Sequence, residues 1–209
     1  MRTTFVTVVA LGTLVVSLSA DIRFTSTWKH IDAGTVNFSG KKVAALVITN
    51  DDSLRVAGEE SLVRELAARG LQAVATYKIA PKEVLAKAET AKPWFEKANV
   101  EGVVALRPVA LDSQRMNRSD VWVTPYYSTL WGYYGYGWSA VYIPGSGKRV
   151  ETNVVVETLI YSLPQDKLLW AAVAQSTSTR PDLRAFIQEL VKESVKILHE
   201  QGLAKRIAK

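Results

Sequence analysis

The stretch that most constrains the fold runs from Lys42 to Ile79. Val43-Ala-Ala-Leu-Val-Ile48 is continuously apolar, the pattern of a strand covered on both faces. It stops at Thr49-Asn-Asp-Asp-Ser53, a cluster of side chains that accept hydrogen bonds from the free N–H groups of a helix start. From Leu54 to Arg69 the period becomes helical: Leu54, Gly58, Leu62 and Leu66 share a stripe, with Glu60/Arg64 and Glu65/Arg69 spaced as i,i+4 pairs outside it. Gly70 is a left-handed stop, and Leu71 to Ile79 reads as a second strand. A β-α-β unit of this kind crosses over right-handedly and sets its two strands parallel.

The rest of the chain extends that unit. Residues 21–40 form a polar lead-in that could include a short edge strand. Pro81 opens a short helix to about Ala88, and Pro93 is expected at a second helix start, before Trp94 and Phe95. Val103 to Leu111 reads as a third strand. Val150 to Leu163 and Leu168 to Ser176 pair as an antiparallel hairpin about the turn Pro164-Gln-Asp166. Thr179-Arg-Pro-Asp182 has the form of a capping box, and Leu183, Phe186, Ile187, Leu190, Ser194, Ile197 and Leu198 then mark the apolar face of a last helix ending at Gly202. The expected architecture is a single α/β domain with a mixed sheet, in the order β-α-β-α-α-β-(aromatic loop)-β-β-α. The domain occupies residues 41–203, with a basic tail at 204–209.

The first twenty residues carry Arg2, an uncharged apolar stretch from Phe5 to Leu18 and the small pair Ser19-Ala20, the layout of a secretory signal peptide. The stretch falls short of the roughly 20 residues that a membrane-spanning helix needs, so residues 1–20 are read as a cleaved leader, with a retained anchor as the alternative. Cleavage would remove one base and no acid, taking the net charge from +6 to +5. That basic balance suits an anionic partner, although the Lys and Arg are spread along the chain as on a solvated surface. Export disfavours nucleic acid. The chain contains no cysteine, which excludes disulfides, thiolate chemistry, Cys-based zinc sites and iron–sulfur clusters and points to a bacterial periplasm.

No chemical constellation stands out. Asp51 and Asp52 follow the first strand, where α/β sheets bind ligands, but a paired-acid metal site needs a further acid and a Lys in the right places, and helix capping accounts for both. Gly145-Ser-Gly-Lys148 has the look of a phosphate loop, yet Tyr142 and Arg149 stand where that motif needs Gly and Ser/Thr. His30 and His199 are the two histidines, and neither sits in a triad or zinc-type setting. No cofactor, no metal site and no catalytic residue is expected.

What remains is the segment from Trp122 to Tyr142, with three Trp and six Tyr in a Gly-broken run. It is read as a long loop, residues 114–147, that fits neither a helix nor a strand period. Rings of this kind stack on sugars, enter lipid headgroups or bury against a protein partner. Alternatively the loop folds back to cover its own sheet, with glycines for tight bends. The candidate contact residues are Trp122, Tyr126, Tyr127, Trp131, Tyr133, Tyr134, Tyr136 and Trp138.

Gly40-Lys-Lys-Val-Ala-Ala-Leu-Val-Ile48, the helix ending Glu65-Leu-Ala-Ala-Arg-Gly70, the run Trp131 to Trp138 and Val156-Glu-Thr-Leu-Ile-Tyr-Ser162 resemble a family of small, uncharacterised bacterial envelope lipoproteins over most of residues 25–203. More distantly, the chain is similar to the α/β domains of penicillin-binding-protein activator and curli-secretion-channel lipoproteins and to the amino-terminal domain of TolB. The resemblance implies a non-catalytic binding or assembly role in the cell envelope, with an envelope protein or a second copy of the chain as partner. The alternative is a cell-wall glycan-binding protein or glycan hydrolase, and peripheral membrane contact is compatible with either. Lipoproteins of this type continue the leader with a lipid-bearing Cys, whereas Asp21 follows Leu18-Ser-Ala20 here. No acyl chain can attach at that position, so a soluble periplasmic protein is expected.

Overall fold

A computed structural model describes residues 22–85, 87–109, 119–139, 155–176, 183–200 and 202–203. The leader, the capping box at 179–182, the loop at 145–148 and the basic tail lie outside them.

Six strands form one mixed sheet in the order β1-β6-β5-β4-β2-β3. The buried run gives β2 (Lys42–Val47), which lies parallel to both β3 (Gln72–Ala75) and β4 (Gly102–Val109). The parallel half is therefore the β-α-β unit plus one further crossover, and the rest is antiparallel. β5 (Val155–Ser162) pairs with β4 on one side and with β6 (Lys167–Ser176) on the other. The lead-in supplies β1 (Ile22–Lys29), an edge strand antiparallel to β6 whose residues alternate between half-buried and exposed. The β5–β6 hairpin is consequently enclosed on both sides, and among the described residues the outermost strands of the sheet are β1 and β3.

Helix α1 (Asp52–Ala68) starts as its sequence dictates: the Asp51 carboxylate accepts from the Leu54 N–H at 3.0 Å. Gly70 closes it at φ +83°. Of the two i,i+4 pairs expected on its outer surface, Glu65–Arg69 forms at 2.8 Å, but Glu60 turns to Lys78 at 2.6 Å and Arg64 donates to Ser61 Oγ instead. The strand read from Leu71 to Ile79 is shorter than expected. It ends at Ala75, and Thr76–Ile79 becomes the one-turn helix α2 because the carboxylate of Glu59 reaches across to accept from both the Thr76 hydroxyl and the Tyr77 N–H. Helix α3 (Lys82–Leu85) follows Pro81 as expected but is a single turn, and Ala88, near which its end is expected, begins the next helix. Pro93, however, sits inside α4 (Ala88–Lys97) and not at its start.

Both faces of the sheet are covered. On the first face α1 and the last helix, α7 (Leu183–Glu200), pack over Val43, Ala45, Val47, Leu106, Val156 and Ile160. The buried face of α7 comprises Phe186, Ile187, Leu190, Val191, Ser194, Val195 and Leu198, close to the expected stripe. On the second face lie Leu85, Ala91 and Phe95 from α3 and α4, together with the aromatic segment.

Candidate functional site

Over residues 119–139 the fold corrects the irregular-loop reading of the aromatic segment; the rest of the loop expected at 114–147 lies outside the described residues. After a 3₁₀ turn at Ser119–Val123 the segment forms helix α5 (Pro125–Ser128) and helix α6 (Leu130–Ser139). Leu130, Tyr133, Tyr134 and Gly137 are buried against the sheet, an i, i+3, i+4, i+7 stripe that is helical in period. Aromatic residues all round the helix hid that stripe, and so did three glycines, each of which disfavours a helix by about 1 kcal/mol. Two of those glycines serve close approach and not bends. A Cβ on Gly137 would lie 2.9 Å from the Ile48 side chain, and one on Gly132 would lie 2.5 Å from the Pro125 carbonyl oxygen.

The eight candidate residues divide by exposure. Trp122, Tyr127, Tyr133 and Tyr134 are buried. Trp131, Tyr136 and Trp138 are half-buried, with Trp131 edge-on to Phe95 at 5.5 Å between ring centroids. Tyr126 alone among the eight is well exposed, at 62%. Trp122 packs edge-on against Tyr127 at 5.1 Å, and Tyr133 stacks on Tyr161 at 6.0 Å. The segment is thus mainly a layer over its own sheet, and a contact surface is left to its margin.

Beneath this layer lies a polar network that the sequence reading missed. Arg107 on β4 and Glu157 on β5 are register partners, almost fully buried, with Nε donating to Oε2 at 2.8 Å. Tyr127 donates to Glu157 Oε1 at 2.8 Å and Tyr133 to Oε2 at 3.1 Å, while Tyr161 donates to the Tyr127 carbonyl at 3.0 Å. The Arg107 guanidinium also lies over the Tyr136 ring at 4.9 Å, within cation–π range. Burial first, and then the Glu157 charge, push the hydroxyls of Tyr127, Tyr133 and Tyr161 well above the usual tyrosine range. All three stay protonated as donors. The signal was available in the sequence, since a lone Arg and a lone Glu interrupt two strands that are otherwise covered on both faces, and buried charges are paired.

Glu59 is a second buried acid. One oxygen accepts from the Val47 N–H at 3.2 Å and the Thr76 hydroxyl at 2.5 Å, and the other from the Tyr77 N–H at 3.0 Å. It therefore ties α1 to the ends of β2 and β3. Burial raises its pKa against the opposing effect of these hydrogen bonds.

Two clefts open near the aromatic layer. One, of about 380 Å³, is bounded by Trp28 and His30 on one side and Trp122 and Val123 on the other. The second, of about 340 Å³, lies beyond the carboxyl end of β2. Among the described residues no group of three or more His, Asp or Glu converges as a metal-holding set, and no helix is long and apolar enough to cross a membrane. His30 caps the 3₁₀ turn Ile31–Thr35 by accepting from the Asp32 N–H at 3.0 Å, and His199 lies in the last turn of α7.

No protein-family model matches the sequence, and no curated protein matches it. Among solved structures the chain is similar to a variant of the PelC dodecamer from Paraburkholderia phytofirmans, at 16% identity over 88% of this chain and 99% of that one, with a TM-score of 0.43. A second crystal form of the PelC dodecamer gives 15% identity over 88% and 98% of the two chains, again at 0.43. No residue role passes across so distant a likeness.

Proposed function

We propose that this chain is a non-catalytic binding or assembly module of the bacterial cell envelope, unlipidated at Asp21 and meeting its partner through the margin of the aromatic layer. The observation that carries the contact surface is a set of solvated apolar side chains in or beside the segments that line one cleft. Five large hydrophobics are exposed among the described residues, and the three most exposed are Ile31 at 93%, Val123 at 62% and Tyr126 at 62%. Val123 lines the cleft that faces Trp28 and His30, Ile31 follows His30 directly, and Tyr126 is three residues beyond Val123. Apolar exposure beside a cleft marks an interaction site more often than scattered exposure does. The leader-like order of residues 1–20 supports the compartment.

The reading is tested by affinity capture from envelope extract with the native chain and with Ile31→Ser, Val123→Ser and Tyr126→Ser combined. Because these positions are exposed, each substitution should change stability by no more than about 0.5 kcal/mol, while capture of a specific envelope component is lost. Unchanged capture by the triple variant would contradict the contact surface. Turnover of a cell-wall glycan by the purified chain would replace the reading with the hydrolase alternative.

A further inference from the structure

The cleft beyond β2 sits at a change of direction in the sheet. From β2 the chain leaves through α1, on the first face, toward β3. From β4, the neighbour of β2, it leaves through the aromatic segment, on the second face, toward β5. The carboxyl ends of two adjacent strands whose connections diverge in this way form a crevice, and open α/β sheets bind their ligands there. Here the crevice is lined by Thr49 and Asn50 after β2, Asp52 and Arg55 in the first turns of α1, Lys82 at the start of α3, and Trp138 of α6.

Two of these residues carry enclosed donors without a well-formed hydrogen bond among the described residues. Arg55 is only 6% exposed, and among the described residues its Nη1 makes no hydrogen bond; the buried indole Nε1 of Trp138 also makes none of good geometry, although the Tyr134 hydroxyl lies near enough to feel it. Both groups donate and cannot accept, and buried donors are nearly always paired. A ligand that supplies acceptor oxygens would satisfy these donors. Glu59 accepts from Val47, Thr76 and Tyr77 and also interacts electrostatically with Arg55, but makes no hydrogen bond to the Arg55 Nη1.

Charge narrows the choice of ligand. Lys82 donates to Asp52 Oδ2 at 2.5 Å, and Arg55 Nη2 lies 3.7 Å from Asp52 Oδ1. Arg55 and Lys82 face Asp52, and Arg55 also feels the Glu59 carboxyl, so the rim holds at most one positive charge in excess and suits a singly charged acceptor better than a dianion. A planar carboxylate also matches the fork of a guanidinium, and the Trp138 ring offers an apolar wall for the carbon body attached to it. We propose that this cleft binds a small organic molecule through its carboxylate, with Arg55 and Trp138 donating to the carboxylate oxygens. The site is separate from the Val123–Tyr126 rim and does not depend on what that rim meets.

The test is titration of the ¹⁵N-labelled full chain, followed through the indole N–H signals of its six Trp, with Trp138 assigned by its loss in Trp138→Phe. Acetate, N-acetylglycinate and glucuronate are compared with acetamide, N-acetylglycinamide and glucose, and inorganic phosphate is run separately. We expect the Trp138 signal to shift saturably with at least one carboxylate and not with its uncharged counterpart. Arg55→Met should weaken that response about tenfold or more. Lys82→Ala, at a largely exposed side chain, should weaken it by a smaller factor with the other five indole signals unmoved, so the cleft remains testable if Arg55→Met does not fold. No shift with any carboxylate, equal shifts with the uncharged counterparts, a response to phosphate alone, or full affinity in both variants would overturn the proposal. Loss of this response with envelope capture intact, or the reverse, would separate its failure from that of the contact surface.

Discussion

The two faces of the sheet come from the same strands and differ in kind. Alternate residues of β4 and β5 send Leu106, Val156 and Ile160 toward α1 and α7, where the packing is apolar and mostly aliphatic, with Phe186 of α7 among it and a Thr158–Ser194 hydroxyl contact at 3.4 Å. The intervening residues send Arg107, Glu157 and Tyr161 toward the aromatic helices, where the packing closes over an ion pair and three tyrosine hydroxyls. The first face gains stability from area removed from water and tolerates exchange of one apolar shape for another. The second holds groups whose charge or polarity must be matched in place, so it specifies which residues may cover it. That requirement explains why this face is covered by a Tyr-rich segment when a Leu-rich helix would bury as much area.

The largest expected effect is on the ionic face. Glu157→Ala strips the carboxylate from a buried guanidinium and from two hydroxyl donors, and should cost about 3–5 kcal/mol in urea unfolding, whereas Arg107→Met combined with Glu157→Leu should recover most of that loss. A double variant as unstable as the single one would mean that the pair itself, and not the unmatched charge, stabilises the fold. Next in size, Tyr133→Phe removes one donor to Glu157 and should cost about 1–3 kcal/mol. The same change at exposed Tyr126 should stay within about 0.5 kcal/mol. Equal effects at the two positions would erase the distinction between layer and margin.

The smallest effect is a pH dependence at Glu59, whose folded pKa is raised above its ordinary value of 4.5. The folded chain then holds a proton that the unfolded chain releases, so Glu59 contributes most below 4.5 and its contribution is lost as pH rises through the folded pKa. Stability of the native chain relative to Glu59→Gln should therefore fall on going from acid toward neutral pH, measured as paired urea midpoints. A difference that rises with pH would reverse the sign and refute the burial argument.

Much of the frame was legible from the residues. The apolar run before Asn50, the Asp51 cap, the Gly70 stop, the 155–176 hairpin and the stripe of α7 each rest on local chemistry that tertiary packing does not override. The errors came where a distant group decides the outcome. Glu59 draws Thr76 and Tyr77 into a helix start and cuts β3 short, and nothing near Leu71 announces it. The helix at Leu130–Ser139 was obscured because Tyr and Trp occupy its outer as well as its inner face and because glycine argues locally against a helix. Its glycines make sense only beside Ile48 and Pro125. Arg107 and Glu157 could have been found by asking what an isolated charge does inside a covered strand, but their pairing requires the β4–β5 register. Arg55 was invisible, since a basic residue one turn into a helix is ordinary until its surroundings close over it.

Amide hydrogen exchange of the intact chain, read separately for Leu130–Ser139 and for β4 and β5, tests most directly that the aromatic segment is a structural layer of the domain. If it is, the N–H groups of Tyr133, Tyr134 and Trp138 exchange only through the same opening that releases Val104 and Leu159, with similar protection. Fast exchange across Leu130–Ser139 while β4 and β5 remain protected would contradict it, and would make the segment a detachable flap.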